Sequence, residues 1–241
     1  MGREGTRGNP ASPRLSSADQ CSPAPECGLG VPRLLAVDTD VAFVVDISVG
    51  VGTDVYRTAL TLVDAALDDL EVAVQPSASP RGAHTALVAH TTPRFWPGAG
   101  RPPVREGFHL TLYGRRTQMQ RHVREAVDHP LWGMPALGHA LEWTLEKVLL
   151  AAPLFRKAHI LFTIVASETS GWDREKLRTL SLEAKCKGIT LFVLALGLGV
   201  GTRELEELAR MASAPSKQHL WHLEGISDAE VAYARGFIGP S

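Results

Sequence analysis

The chain has 241 residues and a mass of 26.0 kDa, room for one sizeable domain with a tail or for two small domains. Apolar residues make up 44% and charged residues 21%, which supports a packed core and excludes a wholly disordered chain. With 25 Lys and Arg against 26 Asp and Glu the net charge is −1, so the chain is no general polyanion binder and no nucleic-acid partner is expected; three cysteines exclude a disulfide-dense scaffold.

Residues 1–33 are rich in Pro, Gly and Ser and lack apolar periodicity, so an irregular segment is expected. Gly2-Arg3-Glu4, Gly5-Thr6-Arg7 and Gly8-Asn9-Pro10 form three Gly-X-Y triplets, the register a collagen triple helix requires because only Gly fits at its axis. A chance register is the other reading. Cys21 and Cys27 follow; they are either unpaired thiols or, in an oxidising compartment, partners for each other or for another chain. No charged-then-apolar leader opens the sequence, so the chain is cytosolic or a piece of a longer one whose leader lies elsewhere.

From Val41 the pattern alternates between strands and helices. Val41–Asp46 is a continuous apolar run ending in an acid, expected as a strand buried on both faces. Thr53–Leu70 carries Val55, Ala59, Leu62, Val63, Ala66 and Leu70 at helical spacing. Strands are expected at His84–Ala89 and Phe108–Tyr113, joined through a Pro/Gly-rich connector at 97–103 and forming an antiparallel edge. Helices follow at Arg116–Val127 and Ala136–Leu150, then an apolar strand at His159–Val165. Ser170-Gly171-Trp172-Asp173 reads as a capping box for a helix to Lys187. Ile189–Leu196 is another apolar strand, and the run from Ile189 to Gly201 is too short to span a membrane. A helix at Thr202–Met211, a short strand at His219–Leu223 and a last helix capped at Ser227 complete the chain. The expected fold is α/β: a single doubly wound, mostly parallel sheet flanked by helices, behind an irregular N-terminal tail. Ligands of such sheets sit at the carboxyl ends of the strands.

The first strand ends Asp46-Ile47-Ser48-Val49-Gly50, which resembles the D-x-S-x-S loop of a von Willebrand factor type A domain. The resemblance covers roughly residues 38–238 and includes the order of strands and helices. It implies that Asp46 and Ser48 stand where that family holds a divalent cation. The sequence departs from the family pattern in three places. Gly50 replaces the second Ser, Gly133-Met134-Pro135-Ala136 offers no Thr, and Val165-Ala166-Ser167-Glu168 lacks the second carboxylate unless Glu168 reaches back. One Asp and one Ser are too few oxygens for a hard cation, so the site is expected to be vestigial and no cofactor is expected, weak magnesium being the exception left open.

The wording of residues 162–170 and 137–145 is similar to the A domains of the long collagen VI alpha chains, some of which have lost part of the cation motif. The triplets fit that resemblance. It implies that residues 1–10 end a triple-helical segment, 11–40 form a cysteine-bearing linker and 41–238 form the A domain, with Met1 the start of a fragment. It further implies a secreted, non-enzymatic module of the extracellular matrix. Its partners would be other collagen or matrix chains and cell-surface receptors, its full-length chain a homo- or heterotrimer, with no membrane contact. Trp172 and Glu168, beside the presumed upper loops, are the candidate partner-binding residues.

A rival enzyme reading uses Gly197-Leu198-Gly199-Val200-Gly201, a glycine-rich turn between strand and helix with Glu224 ending the next strand, as in a dinucleotide-binding unit. Its third Gly falls one place early. There is no G-x-S-x-G elbow, H-E-x-x-H helix or P-loop. Arg115, Arg116, Arg121 and Arg124 form either a solvated face or a glycosaminoglycan contact. The five tryptophans are expected mostly as core or strand-end anchors. Cys186, near Leu182, reads as a buried small hydrophobe or as a partner for a tail cysteine.

Overall fold

The computed structural model of the chain describes residues 38–68, 70–128, 130–152, 156, 158–224, 227 and 232. The collagen-like segment 1–10, nearly all of the linker and nearly all of the last helix lie outside the described residues.

Six strands form one sheet in the order β3-β2-β1-β4-β5-β6. They are β1 (Thr39–Asp46), β2 (His84–His90), β3 (Val104–Phe108), β4 (Ala158–Val165), β5 (Ile189–Leu196) and β6 (Leu220–Leu223). All pairings are parallel except β2 with β3. Every residue of β1 is buried, as its unbroken apolar run requires at the centre of a sheet covered on both faces.

Two helical layers do the covering. On one face α1 (Thr53–Asp68) buries Tyr56, Ala59, Leu60, Leu62, Val63, Ala66 and Leu67, a stripe at 3.6-residue spacing. It packs with Met119 and Val123 of α2 (Arg116–Glu125) against Val41, Phe43 and Val45. On the other face α3 (Leu137–Thr144), α4 (Arg174–Cys186) and α5 (Thr202–Met211) press Leu141, Leu177, Leu180 and Leu208 onto Ala42, Val44 and Leu161. Alternate residues of β1 therefore feed two separate cores. A four-residue α6 (Ser216–His219) leads into β6.

Local structure departs from the sequence reading in three places. The edge strand is Val104–Phe108, not Phe108–Tyr113. The alternation of residues 108–113 serves packing rather than pairing: Phe108 and Leu110 are buried, and the Tyr113 ring meets Phe108 edge-on at 5.4 Å. Leu145–Leu149 continues α3 as a π-helical segment, closed by Leu150 N donating to Leu145 O. Ser170 does not cap α4: the helix starts at Arg174, and the Ser170 hydroxyl finds no hydrogen-bond partner among the described residues.

Candidate functional site

Asp46 closes β1 at the carboxyl edge of the sheet, and both oxygens of its buried carboxylate are engaged by the protein itself. Ser48 N donates to Oδ1 at 2.9 Å. The Ser167 hydroxyl and, at 3.3 Å, the Ala166 amide donate to Oδ2. The Ser48 and Ser167 hydroxyls then meet at 2.9 Å. The sequence reading placed Asp46 and Ser48 here but missed Ser167, which stands where the family pattern has a carboxylate.

The rest of the rim adds little oxygen. Gly50 has no side chain; a Cβ there would stand 3.8 Å from Ser167 Cβ, an ordinary contact, so a serine would have room. The Gly133 and Pro135 carbonyls accept from Val49 N and Ser170 N. Glu168 does not reach back: its carboxylate lies 3.8 Å from Arg174 Nη2, and its Oε1 would be 3.0 Å from a Cβ at Gly201. One carboxylate and two hydroxyls do not fit a hard divalent ion, which takes six or more oxygens and several negative charges. Among the described residues no group of three or more His, Cys, Asp or Glu side chains could hold a metal ion.

A second carboxylate is present but turned to another task. Asp173 is fully buried and accepts hydrogen bonds from Gly138 N, His139 N and His139 Nδ1. It thus caps α3 from across the fold, satisfying free amides at the helix start and placing negative charge at the positive end of the dipole. Sequence reading assigned Asp173 to its own helix; a contact 35 positions away leaves no local signal. His90, the last residue of β2, is buried with its Nε2 3.9 Å from Asp46 Oδ1. Burial pushes its imidazole down from the usual value, against the opposing pull of the Asp46 and Asp173 charges.

The rim exposes several large apolar side chains. Trp96 is 59% exposed and Trp172 37%, their ring centroids 5.3 Å apart. Phe95 and His139 join them, each within 5.3–6.4 Å of a neighbouring ring. Val49, Trp132, Met134 and Leu198 are also exposed, all on loops that follow strands or precede α3. Trp132 N donates to Ile47 O and Val49 N to Gly133 O, so these loops are tied to the one that carries Ser48. Trp96 and Trp132 are not core residues, and no residue pattern announced their exposure.

The glycine-rich loop 197–201 has a structural reason. A Cβ at Gly199 would stand 2.6 Å from Ala166 O, so the glycine lets this loop lie against the loop after β4. Buried Glu204, in the first turn of α5, accepts Thr169 N at 3.0 Å and pairs with Arg174 at 2.9 Å, locking the same loops together. Close packing occupies the glycines that the dinucleotide reading would give to a pyrophosphate.

The opposite edge of the sheet holds a buried charged cluster. Asp40 Oδ1 receives His84 Nδ1 at 2.8 Å, and Arg156 Nη2 donates to His84 Nε2 at 2.8 Å and to Ser79 O. His159 Nδ1 lies 3.3 Å from Asp40 Oδ2. Burial alone would raise the Asp40 carboxyl, but hydrogen bonds from His159 and His84 hold it below its usual 3.8.

No helix among the described residues is long and apolar enough to cross a membrane. A family model described as von Willebrand factor type A domain matches residues 40–232. The collagen alpha-4(VI) chain of Mus musculus is 60% identical over 236 residues, covering 96% of this chain and 10% of that one. The collagen alpha-6(VI) chain of Homo sapiens is 38% identical, over 91% of this chain and 10% of its own. This chain thus spans about a tenth of the length of those relatives. Proximal thread matrix protein 1 from the mussel byssus superposes with a TM-score of 0.64 at 16% identity, over 84% of this chain and 47% of that one.

Proposed function

The chain belongs to the von Willebrand factor type A domain family, and from that premise we propose that it is an adhesion module of the extracellular matrix that binds protein partners without a cation. The observation that carries this reading is the pairing at this end of the sheet: a carboxylate whose oxygens are spent on internal hydrogen bonds, and exposed Trp96, Trp132 and Trp172 on the strand-end loops. Large aromatic side chains held against neighbouring rings lose little freedom on binding and bury much area, which is what interface anchors do. The similarity to collagen VI alpha chains supports a secreted, structural role and partners among other collagen or matrix chains and receptors, within a trimeric full-length chain. In this reading residues 1–10 end a triple-helical segment, 11–40 link it to the domain, 41–238 form the domain, and no reaction is catalysed.

Trp172 lies within the exposed cluster, and Glu168, on the same loop after β4, offers a half-exposed carboxylate. The test is surface plasmon resonance of the 241-residue chain over immobilised matrix collagens and A-domain proteins. Binding should be equal in EDTA and in millimolar magnesium. Binding that appears only with magnesium overturns the cation-free mode; binding to none of these surfaces overturns the adhesion reading.

A further inference from the structure

Beside the aromatic cluster, α3 and the π-helical turn that continues it carry His139, Glu142, Trp143 and Glu146 at helical spacing along one line. Opposite them runs the connector from β2 to β3. Between the two lies an open groove of about 500 Å³, whose lining includes Phe95, Pro97, Pro103, His139 and Trp143. The Phe95 and His139 rings lie 5.3 Å apart and each meets Trp172, so the groove is continuous with the exposed aromatic cluster. We propose that this groove binds a proline-rich partner segment in the polyproline II conformation that carries one cationic and one anionic side chain. The proposal deepens the adhesion reading: it rests on the aromatic surface being a contact surface and names the chemistry of the segment that meets it.

The lining carries the first half of the argument. A polyproline II segment docks on aromatic-lined grooves because it has no internal hydrogen bonds to lose and is already extended in the free chain. The connector wall is fixed as well. Phe95 N donates to Thr92 O, Ala99 N to Trp96 O and the Thr92 hydroxyl to Pro102 O, while Pro97 and Pro103 hold their own φ. Neither side loses much freedom on docking.

Charge carries the second half. Lys176 Nζ donates to Glu142 Oε1 at 2.7 Å, so that pair is satisfied within the groove. Glu146 and Arg101 also line the groove; both are exposed, and neither has an ion-pair partner among the described residues. Glu146 stands on the helical wall and Arg101 on the connector wall. A partner cation answers the first and a partner carboxylate the second. In a polyproline II helix residues i and i+3 share a face about 9 Å apart, so one short segment presents both charges to one groove.

The test is a nitrogen–proton correlation NMR titration of the 241-residue chain with the capped octapeptide PPRPPEPP. The Trp143 indole signal should shift saturably; that of Trp221, which packs against the opposite core, should not. The native chain should bind PPEPPEPP about fivefold more weakly than PPRPPEPP, and Glu146→Lys should reverse that preference. Reversal by a matched charge swap cannot come from a variant that fails to fold. An unmoved Trp143 signal overturns the proposal, and so do equal affinities of the native chain for the two peptides. The same shift produced more tightly by a triple-helical peptide of Pro-Pro-Gly repeats, or by concentrating the chain alone, overturns it too, by giving the groove to a triple helix or to a second copy. Surface binding is read separately: a chain that adheres to matrix proteins without the groove shift loses this proposal and keeps the adhesion reading.

Discussion

Ser167 donates its hydroxyl to the carboxylate of Asp46, filling from the loop after β4 the position where the family pattern would bring a second negative charge. That bond turns a potential cation ligand set into a closed hydrogen-bonded knot. A carboxylate held by three protein donors would have to exchange them for a cation that finds few other oxygens. Millimolar magnesium should therefore move the melting temperature of the native chain by less than about 1 °C, since only ligand bound to the folded state stabilises it. The variant Gly50→Ser/Ser167→Asp gives the converse. Two carboxylates side by side should lower its melting temperature in EDTA, and magnesium at a hundredfold excess over its Kd should raise it by about 5–10 °C. Differential scanning calorimetry in both buffers reads both effects. A native shift of several degrees would show that the knot opens for a cation.

At the other end of the sheet, Asp40→Asn should be costly. The Arg156 guanidinium has no acceptor lone pair, so His84 Nε2 must accept from it and His84 Nδ1–H must donate to Asp40. An amide at position 40 replaces the buried carboxylate that His84 and His159 face by a weaker, neutral acceptor, a change of about 1–3 kcal/mol. The pH dependence has a definite sign. Asp40 has its carboxyl held below the usual value, so its contribution is fully present above about pH 4 and fades as pH falls through the lowered value. Urea unfolding between pH 2 and 5 should show a steeper acid loss for the native chain than for Asp40→Asn.

Tyr56 gives the alkaline counterpart. Burial pushes its phenol up to about 12, and its hydroxyl donates to Ala126 O at 2.9 Å, pinning α1 to the end of α2. An acid whose folded value is raised stabilises the fold below the unfolded value, about 10, and loses that contribution as pH climbs towards 12. Unfolded chains ionise first, so stability should fall by about 2–3 kcal/mol across that interval. Tyr56→Phe should cost about 1 kcal/mol at pH 7 through the lost hydrogen bond and should flatten the alkaline decline. An unchanged slope in the Phe variant would remove Tyr56 as its source.

Much of this architecture was legible because strands buried on both faces must be apolar throughout. Val41–Asp46, His159–Val165 and Ile189–Leu196 announced the central sheet on that ground alone, and Asp46 at the end of the first run pointed to the rim. Elements at the margin were harder to read. Phe108–Tyr113 alternates like a strand but packs as a turn, because buried aromatic rings need the same spacing whether or not the backbone pairs. The candidate site was half legible. Asp46 and Ser48 lie two residues apart and carry a motif; Ser167, His90 and Asp173 act across 35 to 121 positions, where only the folded chain brings donor to acceptor. Of the two readings of Cys186, burial does not hold: it stands exposed at the last turn of α4, and its neighbour Leu182 is exposed as well.

The aromatic rim supplies the prediction closest to function. Trp96 and Trp172 shield each other only in part, and neither belongs to the two cores beneath. Trp96→Ala should therefore change stability by no more than about 0.5 kcal/mol, and Trp172→Ala, which also leaves Phe95 and His139, by about 1 kcal/mol. If this surface meets the partner, each truncation should cost about 2 kcal/mol of binding, some thirtyfold in Kd. Leu182→Ala, an exposed apolar residue on α4 away from the strand-end loops, should leave Kd unchanged. Because the two rings touch, the double variant should lose less than the sum of the single losses. Surface plasmon resonance beside thermal melts separates the effects: a Kd that follows melting temperature would assign the tryptophans to folding, and a Kd that moves alone assigns them to recognition.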